Sequence, residues 1–235
     1  MNKINIYLDG ADIDDVKELS SQEKIKGFTS NPSLMTKSGI TNYNDFIIKF
    51  LSVTNNKPVS FEVVSDDFNE MEREANKINS YGDNIYVKIP ITNSKGESSL
   101  PLISKLLQNN FKLNVTAILT EKQLDGLINI LSDNDDVIVS YFAGRVADTG
   151  VDPVPVLQRL KEKILNKKLL KTKILWASPR EVFNIYQAEE IGVDIITVTK
   201  SLIDKLSLKN KDLEAYSLET VKMFLNDAFK SNLKI

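Results

Sequence analysis

Asn84-Ile85-Tyr86-Val87-Lys88-Ile89-Pro90 reads as a short buried strand. β-Branched and aromatic residues fill it, Gly82-Asp83-Asn84 leads into it and Pro90 closes it. A lysine sits inside. An ammonium buried without a partner is strongly disfavoured, so Lys88 must either reach water or become an uncharged amine. The first outcome is a strand-end lysine snorkelling to solvent. The second is what Schiff-base chemistry requires. The surrounding sequence has to decide between them.

Segments of the same kind recur at 3–8, 25–29, 58–62, 85–89, 112–116, 137–140, 172–176 and 194–198. Helical patterns fill the intervals, at 12–20, 43–54, 69–80, 98–108, 121–131, 153–165, 179–191 and 200–206. Thr120 with Gln123 and Ser178 with Glu181 have capping-box spacing, and Asp152-Pro153 reads as an N-cap followed by proline. Eight strand–helix repeats predict an α/β fold, a (β/α)8 TIM barrel occupying 1–235 as one domain. An open doubly wound sheet is the structural alternative. No Gly-x-Gly-x-x-Gly fingerprint follows the first strand, which disfavours a dinucleotide fold. After the eighth repeat, Leu218, Val221, Phe224, Leu225, Ala228 and Phe229 form one apolar stripe, predicting an additional amphipathic helix over 217–230. It can cover the barrel or pack on another subunit.

Strand parity places the polar residues. Ile4, Ile6 and Leu8 oppose Asn5, Tyr7 and Asp9; Val59, Phe61 and Val63 oppose Ser60 and Glu62; Leu113 and Val115 oppose Lys112, Asn114 and Thr116. The apolar sets suit the helix-facing side, so the polar sets point inward. Asp9, Glu62, Lys88, Asn114 and Thr116 then gather at strand ends, where barrels of this type carry their active sites.

Composition narrows the chemistry. The chain has 235 residues, 42% hydrophobic and 26% charged, with a net charge of -2. Near-neutral charge argues against a nucleic-acid surface, and the basic run 161–173 reads as a solvated helix face. No apolar run is long enough to span a bilayer, so no membrane partner and a cytoplasmic location are expected. Histidine and cysteine are both absent. That excludes a Ser-His-Asp triad, an HExxH zinc site, a thiolate nucleophile and cysteine metal sites. Acid–base work falls to Asp, Glu, Lys or Tyr.

Each candidate also has a plain structural reading. Asp9 can be a loop carboxylate near a helix start. Asn31, in Thr29-Ser30-Asn31-Pro32-Ser33, caps a helix whether or not it touches a ligand. Glu62 is a carboxylate of inward parity, a type seldom buried without a purpose. Asn114 and Thr116 can bond backbone at a strand end or line a pocket. Phe142-Ala143-Gly144-Arg145 follows the sixth strand and Ser178-Pro179-Arg180 the seventh. Two arginine forks beside a helix start suit phosphate, sulfonate or carboxylate; otherwise they make surface salt bridges. Lys200 is the rival amine, at a helix start instead of within a strand.

The series Leu8-Asp9, Thr29 to Ser33, Glu62-Val63, Val87-Lys88-Ile89, Asn114-Val115-Thr116, Ser140 to Arg145, and Ala177-Ser178 with Arg180 resembles the transaldolase family of class I aldolases. The likeness covers nearly the whole chain and is strongest to the short branch that includes fructose-6-phosphate aldolase. It implies a (β/α)8 barrel, no metal or other cofactor, sugar-phosphate substrates and a homo-oligomer. It further implies that Lys88 forms a Schiff base with a ketose, Glu62 acts through a water placed by Thr116, and Asp9 exchanges a proton with the substrate hydroxyl. Asn31, Asn114 and Ser140 would hold the dihydroxyacetone unit, and Arg145, Ser178 and Arg180 the distal phosphate. Glu62 and Phe142 match transaldolases, where fructose-6-phosphate aldolase has Gln and Tyr. Trp176, Pro179 and the loop 147–153 depart from the family pattern near the expected phosphate site. An enzyme acting on a modified sugar, sulfonated or a polysaccharide precursor, and a non-catalytic sugar-phosphate-binding barrel are the alternatives.

Overall fold

The computed structural model describes residues 4–232. Eight strands close a barrel in chain order: β1 (Asn5–Asp9), β2 (Ile25–Thr29), β3 (Val59–Glu62), β4 (Ile85–Pro90), β5 (Leu113–Ile118), β6 (Val137–Tyr141), β7 (Lys173–Trp176) and β8 (Ile195–Val198). All pairs are parallel, and β8 returns to β1 through Asn5↔Ile195 and Leu8↔Val198. The start expected for the first strand, residue 3, lies outside the described residues.

Helices alternate with the strands. They are α1 (Ile13–Ser20), α2 (Pro32–Lys37), α3 (Tyr43–Val53), α4 (Phe68–Asn79), α5 (Leu100–Gln108), α6 (Glu121–Ile130), α7 (Ala143–Asp148), α8 (Val154–Asn166), α9 (Phe183–Glu190), α10 (Lys200–Lys205) and α11 (Leu213–Lys230). The fold is the expected (β/α)8 TIM barrel with a terminal helix. Among the described residues, no helix is long and apolar enough to cross a membrane.

Local chemistry explains most helix starts. Thr120 and Gln123 make the reciprocal capping box at α6. Asn31 caps α2 through Leu34 N, with Pro32 at the first helical position. Asp152 accepts from Val154 N at 2.9 Å, so α8 begins one residue later than expected. The expected cap at Ser178 does not form. Ser178 has φ +57°, which a helix start cannot use, and α9 begins at Phe183. Asp212 caps α11, which therefore starts four residues before the expected 217. Two short helices, α2 and α7, were absent from the periodicity because six residues hold too few turns to show one.

The barrel has an outer and an inner apolar set. Leu8, Phe28, Val59, Phe61, Val87, Val115, Val139 and Ile196 face the helices, whereas Tyr7, Tyr86, Ile138, Leu175, Ala177 and Ile195 pack within the ring. Parity therefore runs as expected. At the N-terminal floor, Tyr86 donates to Asp136 at 2.9 Å and receives a hydrogen bond from Lys173 Nζ at 3.2 Å. Burial, with Asp136 nearby, pushes the Tyr7 phenol up to about 12. The basic run around α8 tethers neighbours as well as facing water: Lys161 Nζ reaches Ile191 O, and Lys167 Nζ reaches Ile128 O at 2.8 Å.

Gly27 sits opposite Tyr7 in register. A Cβ built there would meet the Tyr7 ring at 2.5 Å, so only glycine leaves room for the inner aromatic. Gly27→Ala should lower stability by about 1–3 kcal/mol in urea unfolding, as overpacking typically does; an unchanged midpoint would show that Tyr7 moves freely.

Candidate active site

Parallel pairing brings the inward residues of neighbouring strands side by side. Register sets Glu62 beside Lys88, Lys88 beside Asn114 and Asp9 beside Thr29. All of them line one cavity of about 510 Å³ at the C-terminal end of the barrel. Asn31, Thr116, Ser140, Phe142, Arg145, Ser178 and Arg180 line it too. Every residue singled out for the site thus meets in one place.

Lys88 does not snorkel. It is only 7% exposed, with Nζ 3.0 Å from Glu62 Oε2 and donating to Ser30 O at 3.1 Å. Glu62 is itself steadied from behind, where Tyr43 donates its hydroxyl to the Glu62 carbonyl at 2.7 Å. Burial drives the Tyr43 phenol upward, so it remains a donor. Asp9 accepts from Thr29 Oγ1 at 2.7 Å. Burial raises the Asp9 carboxyl above its ordinary value, against the opposing pull of Lys88 and Thr29, and Glu62 adds to the rise.

An amide and two hydroxyls form the next wall. Ser140 Oγ donates to Asn114 Oδ1 at 2.6 Å, and Asn114 Nδ2 donates to Ser60 Oγ at 3.0 Å. Among the described residues, one amide hydrogen of Asn114 stays uncommitted. Thr116 Oγ1 is buried, lines the cavity and makes no hydrogen bond among the described residues. The next residue, Ala117, has φ +59°, and the β5–β6 register shifts there. Asn31 spends its oxygen on the α2 cap, which leaves its NH2 group for the cavity.

The outer end is cationic. Arg145 lies over the Phe142 ring at 5.4 Å, and Arg180 pairs with Asp148. Gly144 lets α7 lie against the loop after β7: a Cβ there would fall 1.5 Å from Ser178 O. Lys37 completes the rim. Trp176 faces the helix layer, and neither it nor Pro179 lines the cavity. Lys200 is elsewhere, 3.6 Å from Glu18 and 3.3 Å from Asp204, whose hydrogen bond raises its pKa. Among the described residues, no group of three carboxylates is placed to hold a metal ion.

The model of the transaldolase/fructose-6-phosphate aldolase family matches residues 6–235. The chain belongs to that family. Its relatives include a "probable transaldolase" of Thermoplasma volcanium, 34% identical over 226 residues, covering 95% of each chain. A "probable transaldolase" of Nitrosopumilus maritimus is 32% identical over 203 residues, covering 86% of this chain and 87% of the relative. A solved structure from Burkholderia cenocepacia J2315 superposes with a TM-score of 0.61 at 11% identity, covering 100% of this chain and 88% of that one, a likeness of fold alone. As a family member the chain is an enzyme of the transaldolase/aldolase group.

Sequence reasoning gave no role to Thr29, Ser60, Lys37 or Asp148. Thr29 and Ser60 share inward parity with Asp9 and Glu62, a signal that strand alternation contains. Asp148 lies one turn beyond Arg145, visible only once α7 is known to be helical. Lys37, at the end of α2, had no such signal.

The Asp9 shift has a consequence for stability. Because its folded pKa is raised, the charged form is penalised in the folded state; the penalty is absent below the ordinary 3.8 and grows as pH rises through the raised value. Asp9→Asn should therefore raise Tm at pH 7.5, with the gain shrinking as pH falls toward 4. A gain that is independent of pH, or a loss at pH 7.5, would contradict the assigned burial cost.

Proposed function

We propose that this chain is a transaldolase, moving a dihydroxyacetone unit from a ketose phosphate, such as sedoheptulose 7-phosphate or fructose 6-phosphate, to an aldose phosphate. The observation that carries this reading is a buried lysine 3.0 Å from one carboxylate, with a second carboxylate on the same cavity. Lys88 gives its proton to the neighbouring Glu62 carboxylate and attacks the ketose C2 carbonyl as the uncharged amine. The carbinolamine then loses water to give an iminium, and Glu62, with a water held by Thr116, relays the protons of that step.

Asp9 next takes the proton from the C4 hydroxyl. The C3–C4 bond breaks, its electron pair passes to the iminium nitrogen, and an aldehyde leaves while a neutral enamine stays on Lys88. A carboxylate whose pKa lies above the ordinary range is the better base for this and can return the proton when the enamine carbon attacks the acceptor carbonyl. Water hydrolyses the new iminium and restores Lys88. Asn31, Asn114 and Ser140 hold the dihydroxyacetone hydroxyls, while Arg145, Ser178 and Arg180 take the terminal phosphate. Glu62 and Phe142 favour transfer over simple cleavage, following the family resemblance.

The reading includes a homo-oligomer. No residue of α11 is buried, and Leu218, Val221, Phe224, Leu225 and Phe229 are each more than half exposed. A second copy of the chain would cover that stripe. Sedimentation should give an oligomer whose mass falls when residues 213–235 are deleted; a monomeric full-length chain would remove this part.

Borohydride reduction in the presence of fructose 6-phosphate should leave an adduct on Lys88 by mass mapping, and none in Lys88→Ala. An adduct on Lys200, or none with any ketose, would sink the assignment. Glu62→Gln should lower kcat by about 10²–10⁴-fold, the usual worth of a positioned acid–base group; unimpaired transfer would remove Glu62 from the mechanism.

A further inference from the structure

Arg180 lines the cavity, and Asp148 does not. The two are joined along one edge of the guanidinium: Nε donates to Asp148 Oδ1 at 3.0 Å, and Nη2 donates to Oδ2. A guanidinium carries five donors in a rigid fork. This pairing uses two of them and leaves both Nη1 hydrogens and one on Nη2 for another acceptor. Asp148 thus holds Arg180 without occupying its outer edge.

Stability gives little reason for the pair. Both side chains are half exposed, so water screens the pair and even its bidentate geometry contributes only modestly to folding. The surroundings suggest a different purpose. Asp148 ends α7, the helix that also carries Arg145, so one short element sets the position of both arginines. Gly144 N, near its start, donates to Ala177 O at 3.2 Å, and the Gly144–Ser178 contact fixes α7 against the loop that bears Arg180. The main chain of Arg180 is held as well, with its N–H donating to Asn184 Oδ1 at 2.8 Å. What remains to be fixed is the long arginine side chain, whose rotamer freedom would otherwise be lost on binding.

We propose that Asp148 is the positioning residue of the distal anion subsite, holding Arg180 so that its free edge, together with Arg145, receives the terminal phosphate of the sugar. This rests on the phosphate subsite of the proposed function.

A double-mutant cycle tests it, because a residue acting only through Arg180 loses its effect once Arg180 is gone. Calorimetry with inorganic phosphate as the probe needs no turnover. Asp148→Asn should weaken phosphate binding about tenfold, Asp148→Glu should restore part of that loss, and Asp148→Asn should add less than twofold in the Arg180→Ala background. In steady-state kinetics, Asp148→Asn should raise KM for fructose 6-phosphate about tenfold more than KM for fructose, with kcat little changed. Tighter phosphate binding in Asp148→Asn would make Asp148 a competitor and overturn the proposal. An undiminished effect in the Arg180→Ala background, or an equal rise in KM for both ketoses, would do so too. Failure of the Lys88 adduct would instead strike the proposed reaction, leaving the phosphate cycle to report on Asp148 by itself.

Discussion

Lys88 Nζ and Glu62 Oε2 lie 3.0 Å apart on adjacent strands, with water largely excluded from both side chains. Two charges in such surroundings lose much of their hydration, and their attraction offsets this only when the backbone holds them at close range. Parallel pairing supplies that constraint, because register places Glu62 directly beside Lys88. A slip of one residue would turn the lysine outward into the helix layer and bring Val87 and Ile89 into the cavity. The closed ring, the outer core and the capped helices all serve to keep that register. Even Tyr43, on α3, contributes by holding the Glu62 carbonyl.

Around this pair the cavity divides by solvation. Asn114, Ser140 and Thr116 are buried in surroundings where hydrogen bonds are electrostatically strong, and burial pushes the Asp9 carboxyl upward. Arg145, Arg180 and Lys37 stand at the exposed mouth, where a charged group keeps its hydration and can meet an anion arriving from water. A ligand with a carbonyl at one end and an anion at the other matches this gradient. The geometry therefore orients such a molecule before any specific contact is considered.

The mouth is also where regular structure gives way. Ala117 and Ser178 both adopt positive φ, a conformation disfavoured for residues with a side chain, and both line the cavity. Gly144 meets the Ser178 carbonyl too closely for any Cβ. Positive φ occurs at other turns as well, but at Ala117 and Ser178 it falls on the cavity wall, where the surroundings hold the backbone in shape.

Much of this was legible in the chain itself. The eight-fold alternation pointed to the barrel without closing it, and strand parity separated inner from outer residues, because a strand's period of two does not depend on its partners. The same parity, with histidine and cysteine absent, drew attention to Lys88, Glu62 and Asp9 before any contact was known. Ser178 misled as a helix cap, since capping-box spacing carries no information about φ. Whether Lys88 reached solvent or met a carboxylate was undecided, as was which arginine edge stayed free. Both depend on distances between segments apart in sequence: Lys88 with Glu62, and Arg180 with Asp148. Sequence by itself determined the period and the chemistry available; the tertiary structure decided the partners, because register and ring closure alone set which side chains come within hydrogen-bonding reach.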